Sequence, residues 1–168
     1  RVVNRQEQHP CFLCARMRRG HLYARAQSLG CNKIALGHHF NDVIETTLMG
    51  MLYGGQIQAM LPRRKSDNYP GMELIRPLYC VHEEDILAWQ EANGLAFLRC
   101  ACRFTSRSTE DPAYSRRARV KALIAQLKAE SPEVERSIFH SIHTVQLDSM
   151  PGYKQQGEKH SFLEQFKG

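Results

Sequence analysis

The stretch that decides the fold is KIALGHHFND, which runs from Lys33 to Asp42. It opens with a short apolar run ending at Gly37, of the kind that forms a buried strand in a parallel sheet. A helical pattern follows at once, with apolar residues at Val43, Ile44, Leu48, Met51 and Leu52. A strand that leads directly into a helix is typical of α/β proteins, and the residues between the two lie where such folds bind ligands.

Further helices and one more strand are predicted around this unit. Apolar residues recur at helical spacing from Phe12 to Leu29, and Gly30 is a natural stop. After a polar connection, the apolar stretch from Met72 to Ile75 predicts a second strand. Three more helices are predicted at His82–Asn93, Ser115–Glu130 and Pro132–Leu147, the last with Ser131 as its cap and Pro132 at its first position.

These elements predict one α/β domain with helices added at its C-terminal end. A length of 168 residues is ordinary for a single domain. We expect the α/β part over residues 1–102 and a helical extension over 103–147, which opens on a loop rich in Ser, Thr, Asp and Pro. The tail, 148–168, has no sustained period and is expected to be flexible, or docked through Phe162, Leu163 and Phe166.

Positive charge is clustered along the chain. Lys and Arg number 23 against 17 Asp and Glu, which gives a net charge of +6. Three clusters carry the excess: Arg16, Arg18 and Arg19, then Arg63, Arg64 and Lys65, then Arg116, Arg117, Arg119 and Lys121. Any one cluster could be a solvated helix face. Three clusters with few acids nearby favour a nucleic acid as partner, because neutralising phosphates requires many cations on one surface.

Hydropathy and the first residues argue against membrane and secreted proteins. No run approaches the ~18 consecutive apolar residues of a membrane span. The start, RVVNRQEQHP, has neither the apolar stretch nor the cleavage site of a signal peptide. We therefore expect a cytoplasmic protein without a membrane partner. Its first residue is Arg1 and not Met, which is compatible with a fragment.

Six cysteines give the first chemical lead. Cys11 and Cys14 form a CxxC pair at the predicted start of a helix, and Cys100 and Cys102 follow a predicted extended segment. Reduced thiols serve as metal ligands, as packed small hydrophobes or as a redox dithiol, and two pairs favour a metal or cluster site. Two more cysteines stand alone beside apolar segments, where core packing is expected: Cys31 and Cys80.

Polar side chains follow the first predicted strand at its carboxyl end, and we call this edge of the sheet its mouth. Asp42 lies four residues after His38 and three before Glu45, so all three point to one mouth if the helix begins early. The alternative is structural: Asn41 caps the helix, and acids in its first turn stabilise the helix dipole by about 0.3–1 kcal/mol. Spacing alone favours the structural alternative.

The order of the motifs is more specific than any one of them. CxxC at Cys11–Cys14 is followed by RRG, then GHHxxD at Gly37–Asp42, a GG pair, RPL at Arg76–Leu78 and a further Cys. In this order the chain resembles the tRNA 2-thiocytidine synthetases of the PP-loop ATP pyrophosphatase superfamily, from about Gln8 to Cys102. The resemblance implies a Rossmann-like parallel sheet of the PP-loop type. It also implies an enzyme in which ATP adenylates the C2 oxygen of a tRNA cytidine, pyrophosphate leaves, and sulfur from a donor system replaces the activated oxygen.

The same resemblance assigns cofactors and residues. Three cysteines would hold a [4Fe-4S] cluster whose fourth iron has no protein ligand: Cys11, Cys14 and Cys100, with Cys102 as the alternative to Cys100. ATP would bind at Gly37, His38 and His39, while Asp42 and Cys100 would be catalytic. The arginines of the three basic clusters would bind the tRNA.

Two departures from the family pattern change what we expect. The family's GHHxDD is GHHFND here, so Asn41 removes one carboxylate that could hold Mg²⁺ and leaves Asp42 with Glu45. The SGGxDS loop that binds ATP does not occur, nor does any other glycine-rich phosphate loop. The chain therefore resembles the part C-terminal to that loop. By itself we expect it to be inert, to bind ATP weakly or not at all, and to dimerise or aggregate through an exposed sheet edge.

Two other functions remain open on these residues. Cys11, Cys14, Cys100 and Cys102 could hold a structural Zn²⁺ in a basic RNA-binding module without catalysis. The chain could also belong to a related ATP pyrophosphatase with a non-RNA substrate. Iron and sulfide content separates the cluster from the zinc site, and salt-sensitive tRNA binding would argue against the non-RNA enzyme.

Overall fold

The computed structural model describes residues 10–97 and 115–166, with side chains from residue 14 onwards in the first helix. In chain order its elements are helix α1 (Pro10–Ser28), strand β1 (Lys33–Ala35), α2 (Phe40–Gly54), β2 (Arg63–Lys65), β3 (Glu73–Ile75), α3 (Glu83–Ala92), α4 (Arg116–Glu130), α5 (Val134–Ser141), β4 (Gly152–Gln155) and β5 (Glu158–Ser161). Short 3₁₀ helices lie at Leu147–Ser149 and Phe162–Phe166. The side chain of Cys11, all of Cys100 and Cys102, and the predicted loop over 103–114 lie outside the described residues.

A small mixed sheet confirms the predicted α/β class. Its strand order is β1-β3-β2. Strands β1 and β3 are parallel, with Ile34 opposite Leu74. Strand β2 is antiparallel to β3, with Arg64 opposite Leu74. The sequence pattern did not predict β2, because its three residues are all charged, but charged side chains are common on an edge strand with solvent beside it.

Helix α1 packs on one face of this sheet. The chain turns at Gly30, whose φ of +73° suits glycine, and enters β1, so α1 and β1 run in opposite directions. Buried Tyr23 of α1 packs with Met72 and Leu74, beside half-buried Ile34. The N-terminal half of α1 therefore lies towards the carboxyl end of β1, the end at which α/β sheets bind ligands.

A second core joins α2 to the C-terminal helices. Phe40 and Ile44 of α2 pack against Val120 and Ile124 of α4, with Phe139 of α5 against the same cluster. Helix α4 begins where it was predicted, because the Ser115 hydroxyl accepts a hydrogen bond from the Ala118 N–H at 3.4 Å. This core fixes the position of α4 next to the first turns of α2.

The last helix is shorter than predicted. The Val134 N–H donates to the Ser131 carbonyl, which places Pro132 in a turn and makes Glu133 the N-cap residue, so the predicted cap at Ser131 is wrong. The helix ends at Ser141 and not at Leu147. Side chains of the following residues bond to its last carbonyls, as when the Thr144 hydroxyl donates to the His140 carbonyl, and such bonds compete with helix continuation.

The tail contains a β-hairpin that the sequence analysis did not predict. Strands β4 and β5 pair antiparallel around Gln156 and Gly157, both with positive φ, as in a tight two-residue hairpin turn. The side chains expected to dock the tail if it packs on the domain are exposed: Phe162, Leu163 and Phe166.

Two isolated cysteines also differ from expectation. Cys31 and Cys80 are exposed, so the prediction that both pack in the core is wrong. Cys31 lies in the turn between α1 and β1, and Cys80 lies in the turn that the Val81 N–H closes on the Leu78 carbonyl. Of the helices in residues 10–97 and 115–166, none combines the length and the apolar composition that crossing a membrane requires.

Candidate functional site

The polar residues after β1 are held in place by their own backbone. The Leu36 N–H donates to the Ile75 carbonyl at 3.0 Å and extends the pairing of β1 with β3. Helix α2 then begins at Phe40 with His39 as its N-cap residue, and the His39 N–H donates to Asp42 Oδ2 at 3.2 Å. Asp42 thus lies in the first turn of α2 and closes a capping box, the structural role that the alternative expected of an acid there. The N-cap residue is His39, so the prediction that Asn41 caps the helix is wrong.

Asn41 instead joins three helices. Its Nδ2 donates to Glu135 Oε1 of α5 at 3.2 Å, and its Oδ1 accepts from the Glu83 N–H of α3 at 2.9 Å. Glu135 is buried and also pairs with Lys128 at 2.7 Å. An aspartate at position 41 would set a second carboxylate against Glu135, and it could not donate to that residue. The amide therefore suits this position, although it removes a carboxylate from the motif.

Arg117 of α4 binds both remaining acids of the motif. Its Nη1 donates to Asp42 Oδ1 at 2.9 Å and to Glu45 Oε2 at 2.8 Å, while its Nη2 donates to the Thr46 hydroxyl at 3.3 Å. Burial raises the pKa of Glu45, and the Arg117 charge is the main effect that opposes this rise. The two carboxylates converge on the Arg117 guanidinium and share its single positive charge.

His38 is held as a neutral imidazole. Its Nδ1 faces the Arg76 Nε–H at 3.3 Å, and this nitrogen must be unprotonated to accept that bond. Burial lowers the pKa of His38, and the charges of Arg76, Arg117 and Arg19 lower it further, against the opposing effect of Asp42. At neutral pH the proton therefore resides on Nε2. Arg76 in turn donates to the Leu61 carbonyl, which fixes its guanidinium.

Two clefts adjoin these residues. The first, of about 300 Å³, lies between α1 and the end of β1 and is lined by Arg18, Arg19, Leu22, Tyr23, Leu36, Gly37 and His38. The second, of about 570 Å³, lies between α1 and the β2–β3 hairpin. Ala15, Arg19 and Tyr23 line both, so the two clefts form neighbouring parts of one surface. Neither contains His39, whose buried Nδ1 has no hydrogen-bond partner in the described part of the chain.

The predicted RNA-binding arginines fall into different environments. Arg18 lies in the first cleft, Arg16 and Arg64 in the second, and Arg19 in both. Several already have partners: Arg64 binds Asp67 at 2.6 Å, Arg63 binds Glu73 at 2.7 Å, Arg116 lies 5.1 Å from the centre of the Tyr53 ring, and Arg117 binds Asp42 and Glu45. Arg119 is exposed on α4.

Arg76 is a site residue that the sequence pattern did not predict. In the sequence it stands out only as part of RPL, yet its side chain reaches both His38 and the second cleft. The available signal was its position directly after a strand that runs parallel to β1, which places it at the same edge of the sheet.

The cysteine site is described only in part. Cys14 is exposed on α1, next to Ala15, which lines both clefts. Within residues 10–97 and 115–166 no three His, Cys, Asp or Glu side chains are grouped so that they could hold a metal ion. Whether Cys11, Cys14 and Cys100 converge, with Cys102 as the alternative, stays a prediction.

The sheet, the helix that starts at its mouth and the GHHxxD residues between them define an α/β domain of the PP-loop class. The family model of the PP-loop domain matches residues 12–128, and the chain belongs to this family.

Named relatives narrow the comparison. The chain is 42% identical over 136 residues to the tRNA-cytidine(32) 2-sulfurtransferase of Syntrophotalea carbinolica, covering 81% of this chain and 50% of the relative. It is 40% identical over 136 residues to the enzyme of the same name from Geobacter sulfurreducens, covering 81% and 51%. The chain therefore spans about half the length of these relatives.

One solved structure has the same fold. It is the U34-tRNA thiolase NcsA from Methanococcus maripaludis with its [4Fe-4S] cluster. The TM-score is 0.61 at 22% sequence identity, and the match covers 83% of this chain and 46% of NcsA. At this identity the likeness concerns the fold.

Proposed function

We propose that this chain is the C-terminal part of a cytoplasmic tRNA-cytidine 2-sulfurtransferase. One observation carries the proposal: the neutral His38 at the mouth of the sheet and the Cys14-bearing half of α1 lie beside one arginine-lined cleft. Nucleotide activation and sulfur delivery need such neighbouring positions. The names of the relatives support this choice among PP-loop functions.

The proposed reaction is ATP-dependent thiolation. ATP activates the C2 oxygen of a tRNA cytidine, pyrophosphate leaves, and sulfur from a donor system replaces the activated oxygen. His38 points its Nε2–H at the nucleotide as a hydrogen-bond donor, because Arg76 occupies its other nitrogen. Arg18 and Arg19 neutralise phosphate charge in the same cleft. Gly37 has open space around it, so a ligand can approach the backbone between β1 and α2.

Asp42 acts in this proposal through its position at the mouth. Arg117 holds it together with Glu45, so the pair does not present two open carboxylates to a cation. The residues as placed do not fit the predicted Mg²⁺ site, and we derive no step through that ion. Asp42 instead fixes the His39 backbone, which continues directly from His38.

The cysteines fit an iron–sulfur cluster in their chemistry. Cys14 exposes its thiol, and Cys11 lies three residues earlier in α1. Thiolates are the ligands that such clusters use, and Cys11, Cys14 and Cys100 would hold it, with Cys102 as the alternative third ligand. When bound, a cluster with one iron free of protein ligands supplies a place for transferable sulfur.

Pyrophosphate release tests the nucleotide site. We expect none from ATP and tRNA with the 168-residue chain, because a glycine-rich phosphate loop does not occur in it. A polypeptide extended upstream to the length of the relatives should release pyrophosphate in a tRNA-dependent reaction. Turnover by the 168-residue chain alone, or none by either protein, would contradict this proposal.

Metal analysis tests the cysteine site. Anaerobically reconstituted protein should be brown and contain iron and sulfide, and Cys11→Ala, Cys14→Ala and Cys100→Ala should each lose them. Cys31→Ala is the matched control, since this exposed cysteine lies in the turn between α1 and β1. One equivalent of zinc with no iron would instead identify a structural zinc site.

A further inference from the structure

The second cleft lies between helix α1 and the β2–β3 hairpin, and the backbone geometry of each element determines which of its residues face the cleft. On α1, Arg16, Arg19 and Tyr23 recur at spacings of three and four, so they share one face of the helix. On the sheet, Arg64 is the cross-strand partner of Leu74 and therefore lies on the same face as that residue. Arg76 follows Leu74 by two residues and shares the face again. These side chains line a gap of about 570 Å³.

The floor of this cleft is apolar and well packed. Tyr23 is buried and stacks on Tyr69, with ring centres 4.8 Å apart and planes 12° apart. The Tyr69 hydroxyl donates to the Gly20 carbonyl at 3.1 Å, which joins the β2–β3 connection to α1. Leu74 is buried beside them. A floor held by stacking and a hydrogen bond keeps the two basic walls at a fixed separation.

The walls carry a large excess of positive charge. Four cationic side chains and one carboxylate line the cleft: Arg16, Arg19, Arg64, Arg76 and Asp67. Asp67 pairs with Arg64 at 2.6 Å. Subtracting that one acid leaves three positive charges facing a single gap. Such a concentration favours a ligand that brings several negative charges along a line.

The cleft is better suited to a polynucleotide backbone than to a compact triphosphate. Triphosphate sites use backbone N–H donors at a glycine-rich turn, whereas the donors here are long side chains on two walls, and the Ser66 N–H already donates to the Met72 carbonyl. The volume is that of a small-molecule pocket, which admits a short single strand but no helix of RNA. Arg19 lines both clefts and connects this gap to His38.

We infer that the cleft between α1 and the β2–β3 hairpin binds the phosphodiester backbone of a single-stranded RNA segment and directs it towards His38. The inference rests on the proposed function for the identity of the RNA. It places the RNA-binding surface away from α4, where Arg116 lies over the Tyr53 ring and Arg117 pairs with Asp42 and Glu45.

Binding of labelled oligonucleotides by the 168-residue chain tests the inference. Fluorescence anisotropy would follow the binding of a ten-nucleotide single-stranded RNA over a series of salt concentrations, with the wild type and the variants Arg16→Gln and Arg64→Gln. Each removed phosphate contact should lower the log–log salt slope by about 0.7, which at 0.1 M salt is about a fivefold loss of affinity. The matched control is Arg136→Gln on α5: it removes the same charge, and its side chain is 82% exposed and pairs with Glu133.

Specific outcomes overturn the inference. Equal losses in Arg136→Gln would mean a general charge effect, and equally tight binding of a duplex of the same length would exclude a single-strand site. Displacement of the oligonucleotide by inorganic triphosphate, with triphosphate binding lost in Arg64→Gln, would make the cleft a nucleotide-phosphate site. Both variants change exposed side chains, so an unchanged thermal midpoint shows that the fold is intact.

The inference and the proposed function can fail separately. If the upstream-extended protein releases no pyrophosphate while oligonucleotide binding maps to Arg16 and Arg64, the proposed function is wrong and the inference about the cleft is supported. If the extended Arg16→Gln and Arg64→Gln variants release pyrophosphate with an unchanged KM for tRNA, the inference about the cleft is wrong and the proposed function is supported.

Discussion

Replacing Arg117 with Met tests how much the guanidinium of Arg117 contributes to the free energy of unfolding. The change removes the donor 2.9 Å from Asp42 and 2.8 Å from Glu45. Glu45 is only 5% exposed, so its carboxylate loses its partner without gaining water. Leaving a buried acceptor unpaired costs about 1–3 kcal/mol, and more when it is charged. The Arg117 side chain is 41% exposed, so solvent screens part of its attraction to Glu45. We therefore expect Arg117→Met to lower the free energy of unfolding by about 2 kcal/mol, which lowers Tm by roughly 4–8 °C for a chain of this size.

The stability that Arg117→Met loses should depend on pH. A buried carboxyl with a raised pKa binds its proton more tightly in the folded state, so the folded state loses stability as pH rises from the ordinary value of 4.5 through the folded value. Removing Arg117 takes away the main charge that limits this rise in the pKa of Glu45. The free energy of unfolding of the variant should therefore lie furthest below that of the wild type near neutral pH. The difference between the two should become smaller as pH falls towards 4.5.

Urea denaturation at several pH values measures this effect. The control is Arg136→Met, whose exposed pair with Glu133 should contribute no more than about 0.5 kcal/mol. If Arg117→Met lowers the free energy of unfolding by no more than the control does, or by the same amount at every pH, Glu45 does not depend on Arg117 in this way.

Three further predictions concern the motif and the sheet. Asn41→Asp should lower the free energy of unfolding by about 1–3 kcal/mol, because it sets a carboxylate against buried Glu135; Asn41→Ser, which loses the amide without adding charge, should cost less. In ¹⁵N spectra at neutral pH, His38 should carry its proton on Nε2, and Arg76→Lys should mix the two tautomers. The 168-residue chain should form dimers or aggregates by sedimentation, since β1 has β3 on one side and, among the described residues, no strand on the other.

Each of these has a result that would contradict it. Asn41→Asp as stable as the wild type would mean that the amide is not required beside Glu135. A His38 ring with its proton on Nδ1 would exclude the bond from Arg76. A chain that stays monomeric at high concentration would show that the edge of β1 is covered.

Local pattern accounts for much of the fold. The run before Gly37 and the helical spacing after it were enough to place β1, α2 and the mouth between them, because both signals depend only on neighbouring residues. Strand β2 was missed since its residues are charged, and an edge strand needs only a partner for its backbone.

The contacts of the site depend on distant residues. Arg117 is 75 positions from Asp42, and Asn41 is 94 positions from Glu135. A single sequence carries no signal for such pairs, so Asn41 looked only like a lost carboxylate and Arg117 only like part of a basic cluster. A single sequence likewise does not show whether the two proposed cysteine pairs converge, because their convergence also depends on the tertiary fold.

The product of the reaction tests the central claim most directly. Unmodified tRNA would be incubated under anaerobic conditions with ATP, a sulfide source and the cluster-loaded polypeptide extended upstream to the length of the relatives. The tRNA would then be digested to nucleosides and analysed by mass spectrometry. The account predicts 2-thiocytidine with the wild-type protein and none with Cys14→Ala. Cytidine that stays unmodified with the wild-type protein, or thiolation that persists in Cys14→Ala, would contradict it.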